Sequence, residues 1–381
     1  MITIKKTLRS FLVLKVLSNF WRKDMTISVN KFFTFLVVFP FFLPNHLFLI
    51  TLVLPAFFFF INKSGIRVLF FIIISILLGL IFFFRDYIYN YIDYSNFKLT
   101  YLFSSLFVAW NTYKRGCIDT IFLRKFFIFY TIANCIVLIL QMIMPSLFIW
   151  RYIAENEGQY SLLMDQGRMF GFSGNPTHSG YLTMLISLFL ISCREKFIYI
   201  ALSLISVFLL LNKMTILVVL LFGFLLYCII SKGYSIKILI LFLGVLVSLL
   251  VVSFVIMPYI ERWSEVGYET HTITYRMEIY EYIINEFKNY NYLYWGDPNF
   301  YSIRSTDAFD SLPALIIIKY GVIILLCIYI VIFLLTPKNF KSLILYLSLV
   351  IPAFTMVAFY NTFYTFSIFF LYFSTILILQ E

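Results

Sequence analysis

The sequence predicts an all-α fold, a polytopic transmembrane helix bundle of about 12 spans (roughly 10–12) with two long outward-facing loops. Three observations predict it. Of 381 residues, 62% are hydrophobic, 21% aromatic and only 12% charged, which leaves too little polar surface to coat a soluble globule of this length. The apolar runs are nearly continuous, as in "VLFFIIISILLGLIFFF" at 68–84, whereas a membrane barrel alternates polar and apolar positions along short strands. The charges fall between these runs and change sign balance from one side to the other.

Residues 1–31 carry Lys5, Lys6, Arg9, Lys15, Arg22, Lys23 and Lys31 against one acid, with no small-residue cleavage site. They read as a basic, partly amphipathic cytoplasmic segment and not a cleaved signal. The remainder, 32–381, reads as a single transmembrane domain. Its spans fall near 32–43, 46–61, 68–84, 99–113, 126–148, 176–192, 197–211, 215–230, 238–257, 313–335, 343–360 and 362–379. Several are shorter than the ~20 residues that a bilayer core calls for, and the first two, joined at "PNH", read equally as one broken helix.

Alternating sides from a cytoplasmic N-terminus places 19 Lys+Arg and four acids inside. Outside fall 9 Lys+Arg and 14 acids, with Lys319 left within a span. This is the asymmetry of the positive-inside rule, and it puts both termini in the cytoplasm. The net charge of +11 is spread along the chain and not gathered on one face, so no nucleic-acid partner is expected. Cys117, Cys135, Cys193, Cys228 and Cys327 lie in spans or near the cytoplasmic face, which indicates neither a disulfide framework nor a cysteine metal site.

Two outer loops, 150–175 and 258–312, exceed ordinary connections and are the places to look for function. The first ends in "GRMFGFSGNPTHSGY", 167–181. Asn175 has the character of an N-cap and Pro176 that of a first helical residue. A helix N-terminus, the guanidinium of Arg168 and glycines that admit close backbone approach make an anion site suited to phosphate. The plainer reading is a turn that only begins a helix, with Arg168 snorkelling to lipid phosphates and His178 a satisfied interfacial histidine. In the second loop, Met277, Ile279, Ile283, Ile284 and Phe287 approximate helical spacing over 274–287. This predicts an amphipathic helix on the outer membrane surface with Arg276 in its first turn. His271, in a wet Thr/Tyr-rich stretch, is an acid–base candidate. Asp307 and Asp310 read either as a general base or as caps of the helix that follows at Pro313. Lys213 stands at an outer turn, and Lys319, deeper in a span, is expected to face a polar interior.

These features resemble the O-antigen and capsule polymerase family (Wzy-like) and, more distantly, the O-antigen ligases of the same superfamily. The residues that carry the resemblance are "GRMFGFSGNPTHSGYL" at the end of the first outer loop, then "YRMEIYEYI", "WGDPNFYS" and "DAFDSLPALIIIKYGVIILL" with its mid-span Gly321. The chain departs from the family where relatives carry Ser-Arg-Thr, for here Asn212, Lys213, Met214 and Thr215 stand, and a lysine lacks the bidentate fork. A ligase-type His-Asn is replaced by Asp310-Ser311. The resemblance implies a bacterial inner-membrane, multi-pass glycosyltransferase that joins oligosaccharide repeat units carried on undecaprenyl pyrophosphate at the outer face. It implies Arg168 and Arg276 as a pyrophosphate clamp with Arg304 and Lys213 in support, Asn175 and His178 beside them, and Asp310, Asp307 or His271 as base. No cofactor is implied; membrane lipid, a chain-length regulator and a flippase are the expected partners. A ligase, or a lipid-linked oligosaccharide flippase, is the alternative function.

Overall fold

The computed structural model describes residues 31–32, 34–42, 54–56, 66–89, 96–144, 169–173, 175–210, 212–230, 271–287, 291–297, 311–354, 356 and 364–380. Every regular element among them is helical. In chain order they include α1 (Ile66–Ile88), α2 (Phe97–Lys114), α3 (Thr120–Ile143), α4 (Pro176–Ser192) and α5 (Phe197–Leu209). Next, α6 (Lys213–Val218) runs through a π-helical turn (Val219–Gly223) into α7 (Phe224–Ile230). Then come α8 (His271–Glu286), α9 (Asn291–Tyr294), α10 (Leu312–Tyr320), α11 (Val322–Leu335), α12 (Phe340–Val350) and α13 (Thr365–Gln380). The basic N-terminal segment, the predicted spans at 46–61 and 238–257 and most of both outer loops lie wholly or largely outside the described residues.

Two of these helices are long and apolar enough to cross a membrane: Val68–Ile88, of mean hydropathy 2.8, and Thr120–Ile143, of mean hydropathy 2.2. The first is buried over only 22% of its apolar window, and Phe70 and Leu77 stand more than half exposed. Exposed apolar surface of this extent marks a protein or membrane contact. Other apolar helices run 10–17 residues. Two of the shorter ones have local causes. Gly321 divides the predicted span at 313–335, and the 3-10 turn Ile351–Phe354, which contains Pro352, ends α12.

Helix α4 is covered on nearly every side, with Tyr181, Met184, Ile186 and Phe189 all buried. It packs against α3, α5, α7, α12 and α13, as expected of a helix without a polar face. Around it α1 lies along α2, α2 along α13, and α3 along α5. Hydroxyls inside this apolar packing bond back to their own helices: Ser187 Oγ to Thr183 O at 2.8 Å, Ser348 Oγ to Ile344 O at 2.8 Å and Thr375 Oγ1 to Leu371 O at 2.8 Å. Each satisfies its donor without water.

The bundle has two chemically distinct ends. At one, Arg124 near the start of α3 pairs with Glu195 after α4, and Tyr113 OH donates to Gln380 Oε1 at 2.7 Å. At the other lie the end of α1, the end of α3 and the starts of α2, α4, α6 and α13.

The break at Gly321 is built from contacts remote in sequence. With φ 87° and ψ 166°, Gly321 ends α10 and starts α11. Three carbonyls of the last turn of α10 are taken. Gly321 N–H donates to Ile317 O at 2.9 Å, Asp297 N–H to Ile318 O at 2.6 Å and Arg85 Nη1 to Lys319 O at 2.9 Å. Arg85 also donates to Trp295 O and to Asp86, and its guanidinium lies 5.0 Å from the Phe82 ring centre. Asp86 in turn accepts from Asn96 Nδ2 at 2.6 Å. Gly296, at φ 69°, lets the loop after α9 lie against this break, where a Cβ would sit 2.6 Å from Lys319 C. Lys319 itself is buried, its Nζ 5.6 Å from the Tyr320 ring centre.

Replacing Arg85 with Ala strands Asp86 and two carbonyls in an apolar setting, so the expected loss is ~3–5 kcal/mol. Gly321→Ala forces a positive φ on a residue with a Cβ, at a cost of ~1–3 kcal/mol. Thermal unfolding of the purified protein in one detergent checks both, with Arg85→Ala expected to melt lower.

Candidate functional site

The site grows from the start of α4. Asn175 has extended backbone angles (φ −134°, ψ 123°), and its Oδ1 accepts from Thr177 N at 2.9 Å and His178 N at 3.3 Å. Asn175 O accepts from Ser179 N at 2.9 Å. The predicted N-cap is therefore present, with Pro176 leading the helix. One part of the sequence expectation changes. Pro176 has no N–H, and the next three amides are taken by Asn175, so this helix start offers an anion its dipole and not open amides.

The turn ahead of the cap is held from α3. Gln141 Oε1 accepts from Phe170 N at 3.2 Å and Gly171 N at 3.1 Å, while its Nε2 donates to Gly171 O at 3.3 Å. Gly171 has φ 58°, and a Cβ there would lie 2.7 Å from Asn134 Oδ1 and 2.8 Å from Ser179 Oγ. Asn134 and Ser179 are fully buried, and their side chains have no hydrogen-bond partner among the described residues. Both side chains lie against Gly171, where only a residue without a Cβ fits.

A second asparagine-capped helix start packs on the first. Asn212 Oδ1 accepts from Thr215 N at 3.3 Å and caps α6. Gly180 of α4 faces it so closely that a Cβ would lie 3.0 Å from Asn212 Cβ. Lys213 is the first residue of α6, so its backbone stands beside the second turn of α4. His178, on the first turn, brings its ring within 5.7 Å of Tyr364 at the start of α13. Tyr181 OH donates to Leu349 O at 2.9 Å near the end of α12. The 3-10 turn that follows α12 touches both α6 and α10.

The later loop contributes α8. It begins at His271, so Arg276 falls in the second turn and not the first. Only part of its apolar stripe packs on the bundle. Ile279 and Ile283 are buried with Ala314 and Ile318 of α10, while Ile284 and Phe287 stand exposed. Residue 284 is one step beyond the stripe, about 100° round the helix. Tyr280 OH lies 2.5 Å from Ser311 Oγ. Ser311 is the cap of α10, accepting from Ala314 N at 3.5 Å. The capping role weighed for Asp307 and Asp310 thus belongs to Ser311. Beyond α8, Tyr282 and Tyr292 donate to Asp297 Oδ2 at 3.4 and 3.5 Å. Burial, reinforced by Tyr282 and Asp297, pushes the Tyr292 phenol well above its ordinary pKa and keeps it a donor.

The structure thus joins Asn175, His178 and the backbone of Lys213 at one end of the bundle. His271 and Arg276 are placed on α8, but the side chains of Lys213, His271 and Arg276 lie outside the description, and Arg168, Arg304, Asp307 and Asp310 lie outside the described residues. Sequence reasoning missed Gln141, Asn134 and Asn212. On α3 the signal was present, since Thr131, Asn134, Leu138 and Gln141 recur at helical spacing in an apolar segment where amides are costly. No protein-family model, curated protein or solved structure matches the chain.

Replacing Gln141 with Leu leaves the amides of Phe170 and Gly171 unanswered, at a cost of ~1–3 kcal/mol each. Asn175→Ala removes the cap of α4 and costs ~0.5–2 kcal/mol, while Asn175→Asp retains it. Thermal unfolding of the three variants, side by side, checks this order.

Proposed function

We propose that the chain is a polysaccharide polymerase that joins undecaprenyl-pyrophosphate-linked oligosaccharide repeat units on the outer face of a bacterial cytoplasmic membrane. The observation that carries the reading is the packing of two asparagine-capped helix starts, α4 on α6, at Gly180 and Asn212. Their positive dipole ends come together at the bundle end that holds His178 and Lys213, next in sequence to the loop that bears Arg168. The multi-pass arrangement with both termini in the cytoplasm belongs to this proposal. It is supported by the charge asymmetry of the loops and by the two membrane-length helices.

The chemistry asks for stabilisation of a leaving pyrophosphate. A hydroxyl of the acceptor sugar attacks the anomeric carbon of the donor, and the bond from that carbon to the pyrophosphate oxygen breaks. The hydroxyl proton goes to Asp310, Asp307 or His271. Charge gathers on the departing pyrophosphate, where Arg168 and Arg276 act as the clamp with Lys213 and Arg304 in support. Asn175 and His178 fix the floor beside them. An O-antigen ligase would use the same parts on a different acceptor, and a flippase would move the substrate without breaking this bond.

The test is the surface-glycan size distribution of the source bacterium after deletion and complementation. Loss of the gene is expected to reduce a ladder to single repeat units. Arg168→Ala or Arg276→Ala, at wild-type protein levels, lowers chain extension by about 10²–10³-fold. A long ladder that persists on the lipid carrier would mean a ligase, and single units held on the inner leaflet a flippase. Full extension in both variants would remove the clamp.

A further inference from the structure

The opposite end of the bundle contains a cavity of about 430 Å³, unrelated to the site above. Arg124, Arg194 and Lys341 line it, from the start of α3, the turn after α4 and the start of α12. Ile121, Ile378 and Leu379 form an aliphatic wall on the same cavity. Arg124 is compensated by Glu195, whose side chain is buried. Arg194 and Lys341 have no ion-pair partner among the described residues.

Helix dipoles explain only part of this. Arg194 follows the carbonyl end of α4, where a cation is favoured. Lys341 is the second residue of α12, where the dipole opposes a positive charge and no acid stands in the first turn. The positive-inside rule assigns these charges to one side of a membrane, yet does not require three different helices to aim them into one hollow. An anion would repay that arrangement, and the aliphatic wall would suit an anion attached to hydrocarbon.

We infer that this cavity binds the phosphate headgroup of an anionic glycerophospholipid of the inner leaflet, with the acyl chains against Ile121, Ile378 and Leu379. The inference rests on the membrane placement proposed above and is independent of the polymerase chemistry at the other end. Free phosphate is the competing source of the same anionic chemistry.

The full chain is solubilised in an uncharged detergent, stripped of lipid and titrated with short-chain phosphatidylglycerol, phosphatidylcholine and glycerol 3-phosphate, with the thermal midpoint as readout. Phosphatidylglycerol is expected to raise the midpoint saturably and the other two to leave it unchanged. The double variant Arg194→Asn/Lys341→Gln, in which Asn suits the left-handed backbone at φ 53°, is expected to bind about thirtyfold more weakly. Equal shifts by phosphatidylcholine would overturn a headgroup site, and equal shifts by glycerol 3-phosphate would make it a free-phosphate site. Undiminished binding by the double variant would overturn the assignment to these residues. Should that variant not fold, the lipid preference of the wild type still decides between these outcomes. Recovery of the chain in the soluble fraction would overturn the membrane placement itself, whereas a membrane-bound chain without lipid preference would overturn the lipid site alone.

Discussion

A backbone carbonyl in an apolar interior must find a donor, and the interruption at Gly321 leaves α10 with several to satisfy. The donors come from far away in sequence, in Arg85 at the end of α1 and the amide of Asp297 beyond α9. That constraint ties three parts of the chain together. It fixes the segment after α8 against α10, and with it the helix that carries Arg276 and His271. The same logic explains Asp86 and Asn96, which neutralise and complete the hydrogen bonding of a buried guanidinium.

From this anchor the polarity of the bundle follows. Helices α4 and α6 begin at one end, each capped by an asparagine, and their dipoles add there. Because Asn175 takes the first amides of α4, what this helix start offers an anion is its dipole. At the other end, Arg124, Arg194 and Lys341 line a cavity together with Ser192, Ile230 and Gln380, the last described residues of α4, α7 and α13. The pyrophosphate and the lipid headgroup proposed above would each meet a different end, for different electrostatic reasons.

Much of the helical class was legible because continuous apolar runs leave few alternatives. The cap at Asn175 and the helix start at Pro176 were legible too, since capping is a local rule with a strong residue preference. The break at Gly321 was visible only as a mid-span glycine, because its cause lies in Arg85 and Asp297, distant in sequence. Periodicity showed which residues of α8 are apolar, but not which of them meet α10, because that depends on a helix distant in sequence. Gln141 and Asn134 escaped notice because an amide within an apolar run gains meaning only when its partner, the turn at Gly171, is known.

The central claim is bond formation between two lipid-linked oligosaccharides. The most direct measurement is to reconstitute the purified protein in liposomes containing one undecaprenyl-pyrophosphate-linked repeat unit, then resolve the glycolipids by mass. The account predicts products spaced by one repeat-unit mass, with release of free undecaprenyl pyrophosphate in step with each bond formed. Substrate that stays at a single repeat unit, with no carrier released, would contradict it.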